Sequence, residues 1–410
     1  MVDLAALEPE QVGQLRVRGG VGGVSFQLDE LVAGARQLEM LAGDLRDVEL
    51  RLEGVRQGLI FAPFHAAATG PAAMTAVGEA LSAWEAARSE LEDLSRDVRM
   101  AHRDYEANEA AIAMQQAQGG LTPLHTFGLN RLAGEIPGSI AKPREITVAA
   151  GPARSIELDA TPAGLLERAR QLEGEHGAAV EVVRVERGGE PAYIVIVPGT
   201  RGGPMGGCDP FDTAGIVEGL GYNSVETIRA IREGLREAGA APGSEVVAVG
   251  YSQGGIHAMN LAKDREFQGE FELKYVLTAG SPVGAVEADP AISSLHLEHR
   301  QDWVPITDGA TGPDARNRVT VTLTDRVQTP EGEDHGLGPG HSLENYRDGA
   351  AELSGSTDPS VVESLGVLGG VVGVGGAATA TTMALTRVPE RKPQAPAQRE
   401  VVTSRRQGGR

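Results

Sequence analysis

One stretch constrains the fold of this chain more than any other: Glu245 to Ala262, EVVAVGYSQGGIHAMNLA. It opens with a Val-rich run that reads as a buried strand and closes with Ile256, Met259, Leu261 and Ala262 at helical spacing. Between them Gly250-Tyr251-Ser252-Gln253-Gly254 forms a GxSxG turn. A strand that bends sharply into a helix presents the central serine hydroxyl above the sheet, and glycines on either side let the backbone turn tightly enough. Ser252 is therefore the candidate nucleophile, and the rest of the chain is read for what supports it.

Strands and helices alternate around this turn. Thr161 to Glu175 reads as a helix, and Val180–Val185 and Tyr193–Val197 read as strands separated by Gly188-Gly189. Ser224 to Ala238 has helical spacing (Ile228, Ile231, Leu235). Leu273–Thr278, Leu295–Glu298 and Val319–Leu323 read as further strands, and His341–Leu353 as a helix. This alternation predicts an α/β fold, a mostly parallel sheet with helices on both faces. The chain has 410 residues, enough for two or three units with a core. A formal net charge of −20 argues against nucleic-acid binding and is read as surface solubility. The single cysteine, Cys208, excludes a disulfide within the chain. The start, MVDLAALEPEQVGQL, has neither a basic nor an apolar region of the kind a cleaved secretory signal carries.

Residues 1–24 are polar and Gly-rich and are expected to be flexible. Leu31, Leu38, Leu41, Leu45, Val48, Leu52 and Val55 then recur at seven-, three- and four-residue steps, a heptad-like seam. After a break at Phe61–Gly70, Pro71 suits the first turn of a second helix. Its seam is Val77, Leu81, Trp84, Ala87, Leu91, Leu94, Val98, Ala101 and Tyr105. Two such helices joined by one short loop predict an antiparallel hairpin over 25–118, whose plain reading is a structural or oligomerising element. Over about residues 25–115 it resembles the WXG100/ESX family of type VII secretion substrates, helical hairpins followed by a Tyr-x-x-x-Asp/Glu signal. Tyr105 and Glu109 fit that signal. The turn, FAPFHAAATG, lacks the family's Trp-x-Gly, and Trp84 stands inside the second helix instead. The resemblance implies a helical partner or self-association through this region and contact with secretion machinery. It also implies a secreted or cell-surface location reached without a signal peptide; otherwise the chain is cytoplasmic.

Residues 119–150 read as a Gly/Pro-rich linker, 151–355 as the α/β domain, and 356–410 as a Gly/Ala-rich and then basic low-complexity tail. Within that tail Leu365–Thr386 is uncharged over 22 residues, long enough for a membrane span, but six of them are Gly. A flexible tail is the favoured reading.

A serine hydroxyl needs a histidine within hydrogen-bond reach, and the imidazole needs a carboxylate to fix its tautomer. In sheet-based hydrolases the chain order is Ser, then Asp or Glu, then His. Three stretches line up after Ser252: Thr278-Ala279-Gly280-Ser281-Pro282, a strand ending in a turn; His299-Arg300-Gln301-Asp302-Trp303-Val304-Pro305; and Gly340-His341-Ser342-Leu343-Glu344-Asn345-Tyr346. On residue order alone Asp302 competes with Asp308 and Asp314, and His341 with His335. His257 is read as structural, His296 and His299 precede the acid, and Cys208 lacks a GxCxG setting. No HExxH and no paired cysteines occur, so no metal is expected.

Over about residues 175–355 these motifs resemble the lipase class 3 family of α/β-hydrolases, with its GxSxG, T-x-G-S/A-P, D-x-V-P and final His with a nearby Tyr. The resemblance implies Ser252 as nucleophile, Asp302 as acid and His341 as base. An oxyanion hole needs backbone N–H groups aimed at the developing charge. Gln253, after the nucleophile, supplies one. Pro198-Gly199-Thr200 resembles the family's R-G-T, with Pro198 where an Arg is usual, and points to Thr200 as the other. The expectation is a serine hydrolase of carboxylic, acyl or lipid esters that needs no cofactor. Gly202–Gly221 would rim the site. Its few large apolar residues (Met205, Phe211, Ile216, Leu220) favour smaller acyl esters or phospholipids over bulk triglyceride. The alternative is a non-catalytic protein or secreted effector of the same fold that binds partners through its hairpin.

Overall fold

The computed structural model describes residues 15–61, 69–118, 142–175, 177–310, 312–328 and 337–389. The side chains of 24–29, 104–118 and 175 lie outside the described set. The protein is mixed α/β, built on one ten-stranded sheet. In chain order the strands are β1 (Arg16–Gly19), β2 (Ile146–Ala150), β3 (Arg154–Asp159), β4 (Ala179–Val185), β5 (Ala192–Val197), β6 (Glu245–Tyr251), β7 (Glu272–Ala279), β8 (Ser293–His299), β9 (Arg318–Leu323) and β10 (Gly375–Arg387). The helices are α1 (Val24–Ile60), α2 (Gly70–Gln118), α3 (Pro162–Glu175), α4 (Thr213–Tyr222), α5 (Val225–Glu237), α6 (Gln253–Leu261), α7 (Arg265–Glu270), α8 (Leu343–Glu352) and α9 (Pro359–Val372).

The sheet order is β1-β9-β8-β7-β6-β5-β4-β10-β2, with β3 pairing β10 beside β2. Strands β5 to β9 are parallel neighbours, and the remaining pairings are antiparallel. The sheet is thus mixed rather than mostly parallel. Its central strands are continuous apolar runs because both faces are covered. Along β5, Ile194 and Ile196 face a core built with Leu165, Leu166, Tyr346 and Leu368 of α3, α8 and α9. Tyr193, Val195 and Val197 alternate to the opposite face and pack with Ile228, Ile231, Met259 and Phe267 of α5, α6 and α7. Helices therefore lie on both faces.

The expected domain boundaries do not match this sheet. Residues 16–19, expected to be flexible, form β1 on β9, and 146–150, expected to be linker, form β2 against β10. The segment expected to be a low-complexity tail contributes α9 and then β10, which inserts between β4 and β2. Its composition is small and Gly-rich, but Ala378 and Ala380 enter one core while Met383 and Leu385 enter the other, the two-residue alternation of a strand buried on both sides. The uncharged 365–386 run is divided between a helix and this strand, and no described helix is long and apolar enough to cross a membrane. The helical segment α1–α2 is consequently inserted between two strands at opposite edges of one sheet.

Helices α1 and α2 lie against each other in opposite directions. Ser95 Oγ donates to the Ala35 carbonyl at 3.1 Å, Arg46 meets Glu92 at 3.8 Å and Arg88 meets Glu49 at 3.1 Å, so rising numbers on one helix face falling numbers on the other. The contact line on α1 runs Ala35, Leu38, Ala42, Leu45, Glu49 and Leu52, alternating three and four. The expected seam is displaced: Leu38, Leu45 and Leu52 face inward, but Leu31, Leu41 and Val55 are exposed, as are Trp84 and Leu94 on α2. Ala35 and Ala42 replace them because small side chains let the two backbones approach.

Candidate active site

Three loops at the carboxyl ends of the parallel strands converge. Val197 at the end of β5 pairs with Gly250 of β6, so the Thr200 loop and the Ser252 turn leave adjacent strands at the same level. Ser252 has φ 52° and ψ −121°, a strained conformation for a non-glycine residue. The turn is held by the Ser252 N–H donating to the Ala279 carbonyl at 2.8 Å. Gly250 and Gly254 are needed for close approach: a Cβ on Gly254 would lie 2.3 Å from the Val197 carbonyl oxygen, and one on Gly250 would lie 2.4 Å from the Gly254 backbone. Tyr251 stacks on His341, with ring centroids 5.2 Å apart, and its hydroxyl donates to the His341 carbonyl.

His341 lies in a single turn of 3-10 helix, Pro339–His341, that leads into α8. Its Nε2 is 2.8 Å from Ser252 Oγ, and its Nδ1 is 2.8 Å from Asp302 Oδ2. With the proton on Nδ1 facing the carboxylate, Nε2 is free to accept from the serine hydroxyl. All three are nearly closed off, 5% exposed for Ser252, 4% for His341 and 7% for Asp302. Asp302 follows β8. Its Oδ1 accepts the Val304 N–H at 2.9 Å, and Oδ2 accepts the Tyr346 hydroxyl at 2.6 Å as well as His341. Tyr346 Oη in turn accepts the His299 N–H at 3.1 Å. Burial, with the Asp302 charge beside it, holds the Tyr346 phenol protonated well above its usual range. Tyr346 thus remains a donor to the acid over the whole working range of pH.

The rival residues sit elsewhere. Asp308 accepts the Ala285 and Ala310 N–H groups at 3.0 and 3.1 Å, and burial raises its pKa. Asp314 lies beside Gly23, at the start of α1. His335 falls outside the described residues. His296 is buried between Thr278 Oγ1 at 2.7 Å and Ser294 Oγ at 3.0 Å, and His299 Nδ1 accepts the Gln301 N–H at 3.0 Å. Cys208 is exposed, and its carbonyl accepts the Arg387 N–H at 2.7 Å. Tyr105 and Glu109 lie in the last third of α2, with side chains outside the described set. Among the described residues no group of three or more His, Cys, Asp or Glu is placed to hold a metal ion.

Gln253 is the first residue of α6, so its N–H lies at a helix N-terminus beside Ser252. The opposite loop begins at Pro198. The Gly199 N–H donates to Glu173 Oε1 of α3 at 2.7 Å, and the Arg201 N–H donates to the Phe211 carbonyl at 2.8 Å. Residues 201–212 are clamped further by Arg387 at the end of β10. Its guanidinium donates to Asp212 Oδ2 at 2.9 Å, the Pro210 carbonyl at 3.0 Å and the Gly207 carbonyl at 3.2 Å. Asp212 caps α4 through the Gly215 N–H at 3.2 Å. The expected rim, Gly202–Gly221, is thus a pinned loop followed by α4, with Phe211 buried beneath it. Glu173 and Arg387 were not legible as site residues, since each reaches the site only through contacts distant in sequence, and Tyr346 was legible as the Tyr after the final His but not as a donor to Asp302.

No family model, curated protein or solved structure matches the chain.

Proposed function

We propose that this protein is a serine hydrolase of carboxylic esters. The observation that carries the reading is the hydrogen-bonded chain from Ser252 through His341 to Asp302, with a strained serine turn at its head. Ser252 Oγ attacks the ester carbonyl while His341 Nε2 takes its proton. Asp302 holds the imidazole tautomer and stabilises the imidazolium. The Gln253 and Thr200 N–H groups receive the negative charge on the former carbonyl oxygen. His341 then gives its proton to the departing alcohol, and the acyl group stays on Ser252. Water, deprotonated by His341, releases it as a carboxylic acid. The chemistry draws on side chains, backbone N–H groups and water, with no cofactor.

The order of the three residues and their position after the parallel strands β6, β8 and β9 support an α/β-hydrolase of the lipase class 3-like type. Substrates of the acyl-ester or lipid class follow from that reading. The α1–α2 pair is an antiparallel hairpin of the WXG100/ESX-like kind that serves export and partner binding. The exposed apolar side chains Leu41, Val55, Trp84 and Leu94 favour a helical partner or self-association there.

A fluorophosphonate probe tests the enzyme reading. Wild-type protein labels and Ser252→Ala does not; equal labelling of the two, or none of wild type, leaves the non-catalytic alternative. For export, Tyr105→Ala retains the protein in cells, and its unchanged appearance in the medium removes the secretion reading.

A further inference from the structure

The Gln253 backbone would serve an oxyanion hole with any side chain attached. Its side chain is nevertheless buried and fully engaged. Oriented to satisfy both ends of the amide, Nε2 donates to Thr200 Oγ1 at 3.1 Å, the Phe211 carbonyl at 3.1 Å and the Asp212 carbonyl at 3.3 Å. Oε1 accepts the Ile216 N–H and His257 Nε2, both at 3.2 Å. One amide thereby joins the nucleophile helix to the Thr200 loop, to the 211–212 rim and to α4. The space for it is reserved by Gly215, where a Cβ would lie 2.1 Å from the end of the Gln253 amide that faces His257, the oxygen in this orientation.

The Phe211 and Asp212 carbonyls and the Ile216 N–H fix the amide's orientation, and they turn its oxygen towards His257. The His257 ring is fully buried, and burial holds it neutral, its pKa lowered to about 3. On the far side, Nδ1 is 2.7 Å from Ser224 Oγ, which also accepts the Asn260 side-chain N–H at 2.7 Å. Because Gln253 Oε1 can only accept, Nε2 carries the ring's proton, and Nδ1 accepts the Ser224 hydroxyl. Ser224 itself has φ 57°, one of three non-glycine residues with positive φ among the described residues. A second of the three is Ser252. A directional chain of donors therefore runs Ser224, His257, Gln253, Thr200, from the α4–α5 junction to the oxyanion loop.

We propose that the Gln253 side chain is the strut that sets the Thr200 loop against Ser252, and that His257 is a positioning residue acting through it. The proposal rests on the hydrolase reading above and adds two residues whose side chains touch no substrate. Transition-state donors must be aimed before the reaction, so a loop free to drift lowers turnover while leaving ground-state binding alone.

The experiment uses the full chain, a short-chain p-nitrophenyl ester, and turnover expressed per site titrated with the fluorophosphonate probe, so that only folded, competent sites are counted. Gln253→Ala, His257→Leu and Thr200→Val each lower kcat per titrated site about 10- to 100-fold with KM unchanged. The double variant Gln253→Ala/His257→Leu falls no further than Gln253→Ala, because His257 acts only through the amide. His257→Gln keeps a donor near the Nε2 position and restores turnover to within about threefold of wild type. A purely structural role reduces the number of titrated sites and leaves kcat per site unchanged in all three single variants; that result overturns the proposal. So do losses that multiply in the double variant, or His257→Gln behaving as His257→Leu. Failure of wild type to label sinks the hydrolase reading and the strut with it, whereas normal labelling with unchanged turnover in the variants sinks the strut alone.

Discussion

The Arg387–Asp212 pair offers the most direct test of how the last strand supports the candidate site. Both side chains are almost wholly buried, at 4% and 1% exposure. Arg387→Met keeps the apolar stem within β10 and removes the guanidinium. Three acceptors lose a charged donor: the Asp212 carboxylate and the carbonyls of Gly207 and Pro210. Removing one partner of a buried pair typically costs about 3–5 kcal/mol. Asp212 retains the Gly207 N–H at 3.0 Å on Oδ2 and the Gly215 N–H at 3.2 Å on Oδ1, so its charge is not stripped bare. That places the expected loss at the low end, about 3 kcal/mol. Urea unfolding reads this as a lower midpoint with unchanged slope. At about 2–4 °C per kcal/mol, the melting temperature falls by roughly 6–12 °C. The sign of a second substitution sharpens the test. Asp212→Asn destabilises wild type, but in the Arg387→Met background it removes an uncompensated charge while keeping an acceptor for Gly215. It therefore recovers about 1–2 kcal/mol. An Arg387→Met loss below about 1 kcal/mol, or no recovery in the double variant, refutes the clamp.

Tyr346→Phe removes a donor from Asp302 and strands the buried His299 N–H, so unfolding free energy falls by about 2 kcal/mol and kcat drops; an unchanged urea midpoint contradicts this. Glu173→Ala frees the Gly199 N–H and lowers kcat per labelled site more than Glu173→Gln, which keeps an acceptor, and equal activity of the two variants removes Glu173 from the loop's support. His257 binds its proton in the folded state only near pH 3, while the unfolded chain takes it up near 6.5. The unfolded state therefore holds more protons between those values. The contribution of His257 is fully present above about pH 6.5 and is lost as pH falls towards 3. Wild type should lose more unfolding free energy between pH 7 and 4 than His257→Gln, and parallel stability curves would sink this. A chain ended after Val374 lacks β10, exposes the edges of β4 and β2, and is expected to be insoluble or unfolded by circular dichroism.

Contacts between residues close in sequence were readable from the residues themselves, and those across the sheet were not, apart from the acid and base to which the motif resemblance pointed. The strand-to-helix turn at Ser252 is legible because its causes are contiguous: an apolar run, two glycines and a helical pattern within 245–262. The helical character of α1 and α2 was equally legible, but not their facing sides. Leu41, Val48 and Val55 repeat as regularly as Leu38, Leu45 and Leu52, and only the approach of the partner helix selects the row through Ala35 and Ala42. Residue order narrowed the acid and base to a few candidates. The folded sheet brings Asp302 and His341 to Ser252 and leaves Asp308 and Asp314 elsewhere.

By itself, then, the sequence determined the alternating elements and the strained serine turn, because backbone preference and periodicity act over a few residues. Tertiary structure decided that residues 375–387 complete the sheet, that β1 closes one edge of the sheet and β2 the other, and that Glu173, Gln253 and Arg387 hold the loop facing Ser252. Those outcomes depend on burial and on pairing between segments up to about three hundred residues apart, as between β1 and β9. A short Gly-, Ala- and Thr-rich stretch carries no local mark of such a partner.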